Sequence, residues 1–255
     1  PTNPLAKSRL FRRRVRQRVE QTLQRLPAPA RQMLCAASVF RRPVPIDFWH
    51  AMLPNGAPET AFDTLRDRHL IEYADLPSGG ERSRTTTFLI KQHNLIRSVA
   101  YNQLKADTDT WQAAERQAAH LWLNDYEPAP DAPNLETIRG YLEAFEHYCE
   151  VGDWEKVKEL FVNPINTPSK QRLSWQLDIW GYYQEEIRLC HKLLGKCDAE
   201  VDLKSWNGIG NGYFYLGNYS KTIEAHENCL TIAREIGDRQ GEGNALGNLG
   251  IAYRN

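Results

Sequence analysis

The sequence predicts a mainly α protein: three helices plus a short β-hairpin, followed by an α–α superhelical solenoid. Three observations point there. No proline follows Pro168, and the 87 residues beyond it space their apolar side chains by three and four, as stacked helices do. Matching residues recur 40 positions apart between Trp206 and Tyr253. Two β-prone runs, 70–73 and 85–90, flank a polar turn at 77–84 and follow a series of short helical patterns.

The chain has 255 residues, enough for about two domains of ~100–200 residues each. Its 32 basic and 32 acidic residues cancel, which argues against a whole-protein binder of nucleic acid or membrane surface and leaves room for a local basic patch. With 41% hydrophobic and 25% charged residues it belongs with globular rather than disordered chains. Mean hydropathy is −0.60 and no apolar run approaches the ~18 residues of a spanning helix, so no membrane association is expected. Cys35, Cys149, Cys190, Cys197 and Cys229 are scattered without a Cys-x-x-Cys pair, which points to small core residues rather than a disulfide framework or zinc site. The N-terminus is basic without a following apolar core, so no signal peptide is read and a cytoplasmic location is expected. Pro1 stands where a methionine would begin a reading frame, and the pattern stops midway at Asn255, so the chain reads as a fragment of something longer.

Residues 1–26 form a basic N-terminal helix. Lys7, Arg9, Arg12, Arg13, Arg14, Arg16 and Arg18 are opposed only by Glu20, while Leu10, Val15, Val19, Leu23 and Leu26 recur at helical spacing. The basic side is a solvated face, a face docked on an acidic neighbour, or a nucleic-acid contact. Residues 27–105 make the next segment. Pro27 and Pro29 suit a helix start, and Met33, Leu34 and Ala37 give that helix its apolar side. Residues 42–45 are an extended connector, and a second helix follows through Phe48, Trp49 and Leu53. After a turn at 55–58 a third runs over 59–69 with Ala61, Phe62 and Leu65 apolar. The β-prone runs then form a two-stranded hairpin, and a last helix spans 94–104. Three helices and then a hairpin is the order of a winged-helix domain.

Residues 106–137 are a connecting helix, with Trp111, Ala114, Ala118, Leu121 and Trp122 on one side, and a proline-rich linker at 127–133. Residues 138–200 read as degenerate helical hairpins, and 201–255 as repeats of 40 residues with the last truncated. Trp206 and Leu246, Ile209 and Leu249, Gly210 and Gly250, and Tyr213 and Tyr253 all stand 40 residues apart. Gly210, lacking a Cβ, lets two antiparallel helices approach closely. The aromatic side chains of Trp206, Tyr213 and Tyr219 fill the ridges between helices. These residues, with Leu216, Gly217 and Leu230, resemble the tetratricopeptide repeat (TPR) family in its 40-residue variant. Thr222 stands where that family prefers alanine, so looser packing is expected there. Residues 148–154 and 179–183 resemble the family's inter-helix turns. The turn glycines Gly152, Gly181 and Gly217 lie 29 and 36 residues apart, so the earlier units are shorter or irregular. A cut array is expected to leave Leu249 and Tyr253 incompletely covered.

A second resemblance concerns the first half. Residues 26–31 (Leu-Pro-Ala-Pro-Ala-Arg) and 42–46 (Arg-Pro-Val-Pro-Ile) resemble the winged-helix segment of STAND-class NTPases of the NB-ARC type. Residues 88–97 resemble that family's Met-His-Asp segment, with Gln92 and Asn94 in place of Met and Asp. The resemblance implies that His93 is nucleotide-sensing. It would reach the β-phosphate of ADP held by a nucleotide-binding domain upstream in cis, in a parent that uses ATP and ADP. The change at Asn94 bears on the strength of that latch.

No catalytic motif is visible. Residues 194–197 lack the first glycine and the hydroxyl of a phosphate-binding loop, and Leu230 replaces the second histidine of a zinc-protease helix that His226 would begin. The glycines at 208, 210 and 212 sit inside a repeat helix, not after a strand, which argues against dinucleotide binding. The seven histidines show no metal-ligand spacing, so no metal is expected. The sequence therefore reads as a non-enzymatic fragment without a cofactor of its own.

Two functions compete. The first is the regulatory and ligand-sensing part of a STAND-class signal-transduction ATPase, whose repeats bind a protein or peptide and shift a closed–open equilibrium. Its groove would present Asn207, Asn211, Phe214 and Tyr215 and, from the next unit, Asn248 and Ile251: amides for a peptide backbone and apolar anchors beside them. The second is a winged-helix DNA-binding regulator reading the major groove with Arg66 and Arg68. The acidic Glu59, Asp63 and Asp67 on the same helix weaken phosphate attraction and argue against DNA as a partner. A stand-alone TPR adaptor is the remaining alternative.

Overall fold

Apolar residues on one side of the first helix set how it lies. Leu23 and Leu26 are buried, Val15 and Val19 half-buried, and Arg13, Arg14, Arg16 and Arg18 exposed. The computed structural model describes residues 4–53, 56, 58–74, 88–166 and 170–255, with the backbone alone for 4–10 and 12. The polar turn at 77–84 and the start of the β-prone run at 85–90 lie outside the described residues. So do parts of the turn at 55–58 and the side chains of Lys7, Arg9, Leu10 and Arg12. The chain divides into two units, Pro1–Leu121 and Trp122–Asn255.

In the first unit, α1 (Pro4–Gln24) leads to α2 (Ala28–Ala36), which carries proline in its first turn and ends in a 3-10 turn, Ala37–Val39. Strand β1 (Val44–Pro45) precedes α3 (Ile46–Ala51) and α4 (Glu59–Asp67). Strands β2 (Glu72–Ala74) and β3 (Leu89–Lys91) then lead to α5 (Asn94–Leu104) and α6 (Thr108–Asn124). Helix α2 packs on α4 and α5, and α1 packs on α5.

The sheet corrects the two-stranded expectation. Residues 44–45, read as a connector, pair antiparallel with β3 in register Val44 with Ile90, and the strand order is β1-β3-β2. Pro45 lacks an N–H and can sit only on an edge strand, which is where it lies. The third helix also stops earlier than its periodicity suggests, because His69 turns left-handed at φ 54°. The strand accordingly starts two residues late, and Leu70 and Ile71 instead plug the core.

In the second unit the helices follow as α7 (Asn134–Thr137), α8 (Arg139–Val151), α9 (Trp154–Val162), α10 (Leu173–Ile179), α11 (Tyr183–Leu193), α12 (Ala199–Tyr215), α13 (Tyr219–Ile236) and α14 (Arg239–Arg254). Successive helices from α7 to α14 pack on one another, a mainly helical arrangement consistent with a solenoid. Gly152, Gly181, Gly217 and Gly237 close α8, α10, α12 and α13 at φ 69–76°, conformations that suit glycine at a helix end. Asp198, Asn218 and Asp238 cap the next helices, their side chains accepting from Val201 N, Lys221 N, and Gln240 N and Gly241 N. The earlier helices are short, 13, 9, 7 and 11 residues for α8 to α11, against 17 and 18 for α12 and α13. One core, from Ile138 and Phe145 to Ile209, runs through this unit, and a smaller one forms around Leu203, Cys229 and Ala245. Trp206 packs against both.

Two expectations about the repeat need correcting. Leu249 is buried, at 7% exposure, since α14 lies on α13 and also reaches α12; Tyr253 is 65% exposed. At Thr222 the packing is not loose: the residue is buried and its hydroxyl donates to the Asn218 carbonyl at 3.0 Å.

Candidate functional site

The residues named for the groove come from α12 and α14. Asn207 and Asn248 meet: Asn248 Nδ2 donates to Asn207 Oδ1 at 3.4 Å, although 41 residues separate them. The contact orients both amides and leaves the Asn207 NH2, the second lone pair of Asn207 Oδ1 and the Asn248 Oδ1 able to bond a ligand. Asn211 lies one turn along α12 and is half-buried. Ile251 is 43% exposed on α14.

At the end of α12, Tyr215 is 59% exposed and stacks on Tyr183 of α11, centroids 4.8 Å apart and planes 13° from parallel. Phe214 meets Tyr215 and Tyr219 edge-on at 5.7 and 5.8 Å. Sequence reasoning missed Tyr183, and with it Trp175 and Ile179, exposed apolar residues on α10. Their helices are shorter than those of the 40-residue unit, so the spacing of that unit does not carry over to them.

Glycine sets how closely α12 can be approached. A Cβ on Gly210 would fall 2.6 Å from the His226 ring of α13. On the α11 side a Cβ on Gly208 would fall 2.9 Å from Glu186 Oε1, and one on Gly212 2.8 Å from Ile187 Cγ1. Both polar groups are buried, and Glu186 Oε2 and His226 Nδ1 lack a hydrogen-bond partner. Burial, with Asp178 adding its charge, raises the Glu186 carboxyl to about 9, and burial lowers the His226 imidazole to about 4. Both side chains are therefore uncharged at neutral pH. His226, the residue that began the incomplete zinc pattern, is a packing residue here, and no group able to hold a metal forms among the described residues.

In the first unit, His93 is the N-cap of α5: its Nδ1 accepts from Leu95 N–H at 3.3 Å, and the residue is exposed. That contact fixes the ring with Nδ1 as acceptor. Arg66 is held by Asp63 at 2.7 Å and Asp67 at 3.5 Å, and Arg68 Nη1 donates to the Arg25 carbonyl at 3.4 Å. The acidic neighbours thus offset the charge that would attract a phosphate backbone. Arg82 and Arg84, in the polar turn at 77–84 that a winged-helix reading would make the wing, lie outside the described residues.

No described helix is long and apolar enough to cross a membrane. No protein-family model matches the chain. Over 53 residues, 19% of its length, the chain is 49% identical to G-protein-signaling modulator 1 of Homo sapiens. Over 52 residues it is equally similar to the same protein of Mus musculus and Rattus norvegicus. The chain spans 8% of the length of these relatives. Among solved structures, a STAND protein with a tetratricopeptide repeat sensor from Pyrococcus horikoshii aligns over 92% of this chain and 49% of its own, at 15% identity and a TM-score of 0.30. A score that low does not establish a common fold.

Proposed function

We propose that the chain is a regulatory protein-interaction module in which the helical repeats bind an extended segment of a protein partner. The carrying observation is the juxtaposition of Asn207 and Asn248 on successive units, with Ile251 exposed on α14 and Tyr215 exposed two turns further along α12. Amides on this scale recognise a peptide backbone whatever its sequence, and the aromatic and aliphatic neighbours anchor its side chains. The local similarity to a signalling modulator supports a signalling context.

In this reading the first unit is a winged-helix domain that couples the repeats to a nucleotide-binding domain in cis, and His93 senses the nucleotide there. The chain itself works in the cytoplasm without catalysis, metal or cofactor, and ATP or ADP belongs to the parent. The DNA-reading alternative is disfavoured by the carboxylates that pair Arg66 and the carbonyl that holds Arg68.

The test is a panel of unstructured peptides screened on the whole chain. Saturable binding that Asn207→Ala with Asn248→Ala weakens would support the module. Binding that ignores both substitutions and Tyr215→Ala would move the interaction off this face.

A further inference from the structure

Charge is divided unevenly along the chain. Residues 1–121 hold 19 lysines and arginines against 11 acidic residues, a net +8, whereas residues 122–255 hold 13 against 21, a net −8. The neutral total conceals two halves of opposite sign.

In the first half the excess gathers on α1. Arg14, Arg18 and Arg25 recur at four and seven residues and so form one row along the helix, beside the apolar stripe of Val15, Val19, Leu23 and Leu26. The Arg25 N–H bonds the Gln21 carbonyl at 3.3 Å, which carries the helical course to the end of the row. All three arginines are exposed, and none has an ion-pair partner among the described residues. Glu20 lies on the other flank, paired with Arg16 at 3.2 Å. Arg68, held on the Arg25 carbonyl, adds a further cation at that end.

In the second half α13 carries the complementary row. Glu224, Glu227 and Glu235 recur at three and eight residues, on the side away from the buried Thr222, Ala225, Cys229 and Ala233. They are exposed; the Tyr253 hydroxyl reaches Glu227 at 3.3 Å, and no cation pairs with any of the three among the described residues. The nearby cations are already engaged. Lys221 stands over the Tyr213 ring at 4.8 Å, and Arg234 pairs with Glu242 at 2.8 Å. Each row spans 11 residues, about 16 Å of helix.

We propose that α1 of one copy docks lengthwise on α13 of a second copy, arginine row on glutamate row. Laid parallel, Arg14, Arg18 and Arg25 come level with Glu224, Glu227 and Glu235, within the reach of an arginine side chain. The contact joins two different surfaces, so it is head-to-tail and leaves each pair with one open row of either sign. Exposed ion pairs are weak and screened by salt, so it forms at high protein concentration and low ionic strength. Asn207, Asn248 and Tyr215 take no part in it.

Sedimentation equilibrium of the whole chain at ~0.01 M and ~1 M salt, where charges act over ~30 Å and ~3 Å, tests it. At low salt the mass is expected to rise with concentration above the 29.4 kDa of one copy, and at high salt to return to it. Arg14→Gln with Arg18→Gln removes the basic row, and Glu224→Gln with Glu235→Gln the acidic one. Each double variant alone should remain a single copy. Mixed, they keep one intact row apiece and should form a 1:1 pair that grows no further. A chain that stays single at both salts, association indifferent to either pair of substitutions, or a mixture that does not pair would overturn the proposal. So would a single-stranded oligonucleotide that binds the otherwise single chain and is released by the arginine substitutions, since α1 would then serve nucleic acid.

Discussion

A Cβ built on Gly210 would stand 2.6 Å from the His226 imidazole, whereas one built on Gly250, its mate 40 residues on, would meet nothing within 4 Å. The same residue type at equivalent positions thus answers to different constraints. At Gly210 the ring of a buried residue occupies the space a methyl would need. At Gly250 the helix simply carries a glycine.

Alanine at the two positions should therefore act in opposite directions. Gly210→Ala forces the His226 ring to move and is expected to cost about 1–3 kcal/mol, as overpacking does. Gly250→Ala relieves the helix penalty of glycine and is expected to be neutral or to stabilise by up to ~1 kcal/mol. Urea titration followed by circular dichroism measures both, and equal effects would refute the packing account.

Stability should vary with pH through two buried groups of opposite sign. His226 is held at about 4 by burial against an ordinary 6.5, so its contribution is intact above 6.5 and is lost as pH falls through about 4. Glu186 is raised to about 9, by burial first and Asp178 second, from an ordinary 4.5. Its contribution is full below 4.5 and is lost as pH rises through about 9. Each slope is bounded by ~1.4 kcal/mol per pH unit. His226→Leu should flatten the acid side of a Tm-against-pH curve and Glu186→Gln the alkaline side, the latter also raising Tm at mildly alkaline pH. Unchanged curves in both variants would place the titrating groups elsewhere.

Tyr215→Ala should weaken peptide binding by about tenfold or more, the behaviour of an aromatic anchor at the centre of an interface. Because Tyr215 also stacks on Tyr183, circular dichroism of the variant is needed alongside. Loss of binding with retained helix content is the expected result.

Neither ATP nor duplex DNA should be a tight ligand of the chain alone. Calorimetry is expected to show no micromolar ATP binding and no turnover. Duplex binding should not depend on Arg66 or Arg68, whose side chains are engaged with Asp63, Asp67 and the Arg25 carbonyl. A steep salt dependence lost in Arg66→Ala would revive the DNA reading.

The sequence by itself determined the helices and their breaks. Proline at 27 and 29, glycine at 152, 181, 217 and 237, and the apolar period of three and four are local signals: α2 starts at those prolines, and α8, α10, α12 and α13 stop at those glycines. The 40-residue repetition likewise places Trp206 and Gly210 at packing positions. Tertiary structure decided what depends on residues far apart in the chain. Pairing of Val44 with Ile90 made a two-residue strand out of the end of the 42–45 connector, because a ladder needs a partner that no local window contains. Burial turned Glu186 and His226 into uncharged groups, and folding brought Asn207 to Asn248. Backbone propensity is encoded within a few residues, whereas desolvation and side-chain convergence exist only once the helices have packed.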